Sequence, residues 1–208
     1  MKLYRDYIKR LIDFIGAATL ICLLSPVFLL CYVMIRKKMG SPVLFTQLRV
    51  GKGERIFKIY KFRSMTSEKD AAGELLPDSK RITKLGIFLR KTSIDELPQL
   101  FNVLKGDMSF IGPRPLLPRY LDWYTDREKH RHTVNAGITG LAQVSGRTDI
   151  SWDRKLELDA QYSESVSFLF DVKIIFLTLK KVLLRENAHA VVESDPLDIE
   201  RNKKINKK

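Results

Sequence analysis

A chain of 208 residues has room for one domain plus a short appendage. With 45% hydrophobic and 29% charged residues it is neither a disordered polymer nor a multi-pass membrane protein. Its 37 Lys and Arg against 24 Asp and Glu leave a formal net charge of +13, which calls for an anionic partner without choosing among nucleic acid, an acidic membrane surface and a phosphate-bearing substrate.

Phe14 to Ile35 is an apolar run of 22 residues without a charge, long enough to cross a bilayer as a helix. It is not a secretory signal, because Met34, Ile35 and then Arg36-Lys37-Lys38 stand where a small-residue cleavage site belongs. A straight span is disfavoured twice. Ser25-Pro26 breaks the run in its middle. Lys2, Arg5, Lys9 and Arg10 before it and Arg36, Lys37 and Lys38 after it both claim the cytoplasmic side. A re-entrant helix bent at Ser25-Pro26, entering and leaving by one leaflet, satisfies both flanks, with a kinked bitopic helix as the alternative, and the Ser25 hydroxyl is a candidate donor to a carbonyl freed by Pro26. Asp13 near the entrance favours a shallow, interfacial position. Cys22 and Cys31, both inside this run, offer neither a disulfide framework nor a cysteine zinc site.

Beyond Lys38 the chain reads as globular. Alternation from Val43 to Tyr60 around Gly51-Lys52-Gly53 predicts a β-hairpin, and Met65 to Lys80, with Gly73 and Pro77, a polar loop. Helical spacing recurs over Arg81 to Lys91, Asp95 to Leu104, Leu116 to Val134, Trp152 to Ser163 and Phe168 to Leu184. In the last of these, Asp171, Lys173, Lys180 and Lys181 suit one polar face of an amphipathic helix, either lying in a membrane interface or packed on the domain. His130-x-His132 reads as a polar helix face, and Gly137 to Gly146 as a short strand or loop. From Arg185 onward a polar, basic tail is expected. The fold class is α+β, mostly helical: residues 1–38 form the membrane helix, 39–184 a small catalytic domain with a β-hairpin and amphipathic interfacial helices, and 185–208 the tail.

Chemistry centres on Ser93-Ile94-Asp95-Glu96-Leu97-Pro98, which reads as a capping box with Ser93 as N-cap and Glu96 at the third helical position. That places Asp95 where exposed amides favour its ionised form, as a nucleophile or metal ligand requires; the plain alternative is a well-started helix. Lys61, Arg63, Arg90, Arg114 and Arg147 are embedded beside glycine, proline or apolar residues, and Pro113 and Pro115 stiffen the turn that carries Arg114. Carboxylates among guanidinium groups suggest metal-assisted chemistry on a phosphate diester or anhydride, with magnesium on Asp95 and Glu96. Walker and Rossmann fingerprints are missing, and the aromatics do not interleave with cations as a nucleic-acid platform would require.

Taken together, the run broken at Ser25-Pro26, KFRSM at 61–65, SIDELPQLFNVLKGDMSFIGPRP at 93–115, GITGLAQVSGR at 137–147 and SWDRKLELDAQY at 151–162 resemble the small monotopic phosphoglycosyl transferases of bacteria. The layout is similar to members in which no further membrane domain precedes the catalytic part. The resemblance implies transfer of a sugar 1-phosphate from a UDP-sugar to undecaprenyl phosphate with release of UMP, magnesium dependence and a covalent aspartyl intermediate. It also implies a bacterial inner-membrane location with the catalytic domain on the cytoplasmic face, membrane lipids and downstream glycosyltransferases as partners, and no nucleic acid. Asp95 matches the nucleophile and Glu96 its partner; Arg114 matches the arginine between the prolines, and Lys61, Arg63, Arg90 and Arg147 match basic positions near the phosphates. Asn135-Ala136 stands where relatives carry a basic residue and a proline, so a less rigid turn into Gly137 is expected. Asp159 and Tyr162 fit the pattern, as packing or as site residues. Two rivals stay open: direct displacement with the dyad only binding magnesium, and a non-catalytic membrane-tethered scaffold.

Overall fold

The computed structural model describes residues 2–146, 150–184 and 195–206. Helix α1 (Lys9–Leu23), entered through a π-helical turn at Tyr4–Ile8, meets α2 (Ser25–Met39) at Leu24 with a bend of 61°. Pro26 has no amide for the Cys22 carbonyl one turn back. The Ser25 hydroxyl donates to that carbonyl instead, at 2.8 Å. Among the described residues, no single helix is long and apolar enough to cross a membrane.

Both arms of the bend return to one protein body. On α1, Lys9, Asp13 and Ala17 are buried at a spacing of four, a single stripe. Ala17 clusters with Ile59, Val103 and Met108. Arg10 donates to the Val103 and Leu104 carbonyls at 2.6 and 2.8 Å, and Asp13 accepts the Phe110 amide at 3.1 Å. On α2, Cys31 and Ile35 join Val43, Phe62, Leu85 and Leu89, with Ile94 and Leu97 packed on the same cluster. Between these anchors the tip exposes Leu20, Leu23, Leu29 and Leu30. Both cysteines are free.

Strands β1 (Leu44–Val50) and β2 (Ile56–Phe62) form the expected antiparallel hairpin, Leu44 opposite Phe62 and Val50 opposite Ile56. The loop after β2 carries isolated bridges, Met65 with Ile82 and Lys69 with Leu75, and runs into α3 (Asp78–Arg81). Helix α4 (Lys84–Lys91) is capped by Thr83, whose hydroxyl accepts the Gly86 amide. Helix α5 (Gln99–Lys105) ends at Gly106, which takes the left-handed conformation at φ +93°.

The spacing of apolar residues did not point to β3 (Met108–Ile111), a buried strand of four residues paired in parallel with β4 (Ala136–Thr139). Ala136 sits opposite Met108, so the segment expected as a looser turn is held by strand pairing. The two chains approach so closely that a Cβ on Gly137 would lie 2.1 Å from the Gly112 amide nitrogen. The predicted helix from Leu116 to Val134 is three short pieces: a 3-10 helix at Pro118–Trp123, α6 (Asp126–Lys129) and a second 3-10 helix at His130–Thr133. Thr125 and Glu128 form a capping box there, which starts a new helix inside the expected one. His132, expected on a polar face, is buried against the Tyr124 ring.

Helix α7 (Leu141–Ser145) follows β4, and α8 (Trp152–Glu164) and α9 (Phe168–Leu183) close the domain close to their expected bounds. Asp171 does not lie on an outward polar face. It is buried, accepting Lys9 Nζ at 2.6 Å and the Tyr4 and Tyr162 hydroxyls at 2.7 Å each. The outward side of α9 exposes Leu169, Phe176 and Leu183 together with Lys173 and Lys180. Part of the expected tail is also ordered: α10 (Leu197–Ile205) buries Leu197 completely among Tyr120, Tyr124 and Leu156.

Candidate active site

Glu96 is the point on which three elements converge. Lys61 reaches it from β2 at 2.6 Å and Arg114 from the turn after β3 at 3.0 Å. Burial alone would raise the Glu96 pKa, but these two cations hold it at about 2. The carboxylate is charged at any working pH and fixes both cations.

Asp95, its neighbour, has no such partner among the described residues. Its carboxyl is buried, which raises its pKa, and the Glu96 charge raises it further against the pull of Lys61, Arg90 and Arg114. The expected capping box does not form: Ser93 adopts the left-handed conformation at φ +56° and makes no side-chain cap, whereas an N-cap needs extended backbone. Ile94–Glu96 is a 3-10 turn, and α5 starts only after Pro98. Helix-end stabilisation of the Asp95 charge is thus replaced by desolvation beside a like charge.

Arg114 owes its position to its own backbone. Pro113 and Pro115 are buried while the Arg114 side chain is exposed. The Pro113 carbonyl accepts the Gly137 amide at 2.9 Å, and the Arg114 carbonyl accepts Arg131 Nη2 at 2.6 Å. Arg131 is itself buried and paired with Asp159 at 2.8 Å, which gives Asp159 its role as a support. Arg90 donates from Nε to the Ser64 hydroxyl at 3.0 Å. That contact depends on Gly86, where a Cβ would fall 1.8 Å from the Ser64 carbonyl oxygen. Arg63, expected at the phosphates, is committed elsewhere: its guanidinium donates to the Met39, Ser41 and Met65 carbonyls and to the Ser67 hydroxyl, clamping the junction of α2 and β1. Arg147 lies outside the described residues.

Asn102 escaped sequence reasoning and supports Lys61. Its side chain accepts the Tyr60 amide at 3.1 Å and donates to the Lys58 carbonyl at 2.8 Å, completing the open edge of β2 next to Lys61. A buried asparagine in an otherwise apolar helical stripe is the one signal that could have found it. Arg131 sat beside the two histidines and was hidden by their polar reading.

Among the described residues no group of three His, Cys, Asp or Glu side chains could hold a metal by itself. Magnesium is commonly held by one or two carboxylates together with substrate phosphates. Asp95, with no hydrogen-bonded cation among the described residues, and Glu96 meet that minimum, so the dyad fits magnesium only jointly with a phosphate ligand.

Residues 4–185 match the family model described as bacterial sugar transferase. The chain is 52% identical over 179 residues to an uncharacterized sugar transferase, EpsL, of Bacillus subtilis, covering 86% of this chain and 89% of that protein. It is 45% identical over 186 residues to a UDP-N-acetylgalactosamine-undecaprenyl-phosphate N-acetylgalactosaminephosphotransferase of Aeromonas hydrophila, covering 85% of this chain and 44% of the relative. It is 36% identical over 200 residues to an undecaprenyl-phosphate galactose phosphotransferase of Salmonella typhimurium, covering 88% and 42%. The chain thus spans under half the length of these last two.

Proposed function

Because the chain belongs to the bacterial sugar transferase family, we propose that it moves a sugar 1-phosphate from a UDP-sugar to undecaprenyl phosphate, releasing UMP, as the first membrane step of glycan assembly. The observation that carries this reading is the division of labour in the dyad: Glu96 is paired with Lys61 and Arg114, while the Asp95 carboxylate lies beside them with no ion pair among the described residues. An Asp95 oxygen attacks the sugar-bearing phosphorus, and the bond to the bridging oxygen breaks as UMP leaves. An oxygen of undecaprenyl phosphate then attacks the aspartyl phosphosugar and frees Asp95. Arg114 and Lys61, held by Glu96, neutralise the phosphate oxygens, and Arg90 adds charge at the same wall. Magnesium on the dyad would supply further neutralisation of the diphosphate.

The test is UMP release from a panel of UDP-sugars by detergent-solubilised protein with magnesium. Release of about one equivalent without acceptor, and turnover with undecaprenyl phosphate, is expected. Release only with acceptor favours direct displacement; none in either case favours the tethered scaffold.

Asp95 must be ionised to attack, and its raised pKa places the acid limb of the pH–rate profile above the ordinary aspartate range. Glu96→Gln removes the like charge and frees Lys61 and Arg114 to face Asp95. The limb should therefore move to lower pH even as the maximal rate falls. A limb that stays or rises would assign it to another group.

For the membrane, the reading is a re-entrant hairpin with the body on the cytoplasmic side. Both arms of the 61° bend dock on the same body, which supports a hairpin over a single span. From Ala17 to Leu24 is seven residues, a reach of roughly 10 Å at 1.5 Å per residue, against a hydrocarbon core of about 30 Å. The outer side of α9, where Leu169, Phe176 and Leu183 stand exposed among Lys173 and Lys180, would lie along the same surface. Replacing Ser25→Ala and Pro26→Leu should restore a continuous spanning helix in some molecules. With Leu3→Cys in a Cys22→Ser, Cys31→Ser background, an impermeant thiol reagent on intact cells should label the Ala-Leu form more than the parent. Strong labelling of the parent would overturn the re-entrant reading.

A further inference from the structure

Helix α10 lies beyond residue 185, where the family match ends, yet it is docked on the 3-10 helix that follows the Arg114 turn, on Glu128 of α6 and on α8. A nine-residue helix is marginal alone in water, so its order comes from this docking. Leu197 is wholly buried against Tyr120, Tyr124 and Leu156, with Trp123 and Trp152 at the edge of the cluster. Trp152 Nε1 donates to the Asp195 carbonyl at 2.9 Å, and Arg119 pairs with Asp198 at 3.4 Å. Arg201 Nη2 meets Glu128 Oε1 at 2.5 Å and Asp153 Oδ1 at 2.9 Å.

Glu128 links this contact to the site. Its other oxygen accepts the Thr125 amide at 2.7 Å, so it starts α6 and is held from outside by Arg201. Helix α6 runs directly into His130–Thr133, where Arg131 holds the Arg114 carbonyl. On the other side of Arg114, the 3-10 helix Pro118–Trp123 is pinned by Leu197 and Asp198, and the Leu116 carbonyl accepts the Val50 amide at 3.0 Å.

We propose that α10 is a latch that positions the Arg114 wall of the active site, with Leu197 and Arg201 as its positioning residues. Its effect on turnover rests on the proposed transfer reaction, while its effect on the wall does not. The chain holds only two tryptophans, Trp123 and Trp152, and both border the α10 groove, so intrinsic fluorescence reports on docking.

The experiment compares the full chain, a chain ending at residue 194, and Arg201→Gln in the full chain, all in detergent, with a synthetic peptide of residues 195–206 added in trans. Removing α10 should shift tryptophan emission to the red, and the peptide should restore it saturably. Amide hydrogen exchange should quicken over 113–117 and 130–134 as well as over the directly covered 118–128, while α9 is unchanged. Turnover per folded molecule, taken well below the unfolding midpoint, should fall about tenfold without α10 and recover with the peptide, and Arg201→Gln should fall in between. Loosening confined to 118–128, or full turnover without α10, would overturn the latch. A truncated chain that does not fold is replaced by Arg201→Gln, where unchanged exchange at 113–117 and 130–134 has the same force. If the full chain itself releases no UMP, the transfer reading fails, and the exchange data alone judge the latch.

Discussion

Asp95→Asn should lower turnover more than about a thousandfold, a loss of ~4 kcal/mol of transition-state stabilisation. The amide keeps the shape of the side chain but has no anionic oxygen with which to attack phosphorus. Because Asp95 anchors no ion pair among the described residues and its neighbours Ile94 and Leu97 keep their packing on the α2 cluster, the unfolding midpoint should hardly move. The variant should also release no UMP without acceptor and form no acid-labile phosphosugar adduct detectable by mass. Retention of more than about a tenth of wild-type turnover, under ~1.4 kcal/mol, would remove Asp95 as the nucleophile.

Asp171→Asn carries the largest expected loss of stability. The residue is buried and holds Lys9, Tyr4 and Tyr162 together; the amide removes the ion-pair partner of the buried Lys9 ammonium and leaves it only the longer-range pull of Asp13. Breaking a buried pair on one side costs roughly 3–5 kcal/mol, which for a chain of this size lowers the midpoint by on the order of 10 °C. Lys9→Met in the same background removes the stranded charge and should recover a large part of the loss. Thermal unfolding in detergent measures both, and early proteolysis near residues 4–17 in the single variant would show that α1 has come away. Equal midpoints for Asp171→Asn and wild type would mean that the network is not what docks the N-terminal arm.

Several parts of this architecture are legible in the residues alone because the cause is local. Pro26 must break its helix, and Ser25 is the nearest donor for the carbonyl it frees. Gly51 and Gly53 between two alternating runs make a hairpin. Asp95, Glu96 and the arginine between two prolines stand out because such residues are rarely packed against apolar and rigid neighbours without a use. What stayed hidden depends on contacts distant in the chain. Arg131 finds Asp159 28 positions away, and Asn102 finds β2 more than 40 positions away. Asp171 looked polar and outward because its helix alone cannot reveal Lys9 and Tyr4, which arrive from the other end of the chain. Ser93 misled for a different reason: its composition suits an N-cap, but the chain must reverse there between α4 and α5, and the left-handed turn prevails over the cap.

The packing of Ile94 and Leu97 on the same cluster as Cys31 and Ile35 makes α2 a strut under Asp95, the proposed nucleophile. In the proposed re-entrant arrangement its length would set the stand-off between Asp95 and the plane in which lipid phosphates travel. A nucleotide sugar diffuses in three dimensions and meets the site at any height, whereas a polyprenyl carrier moves in two and presents its phosphate at a single level. The two halves of the transfer consequently differ in geometric tolerance. One helical turn more or less, about 5.4 Å, would be of little consequence to the water-borne donor and a full phosphate's misalignment for the lipid-borne acceptor.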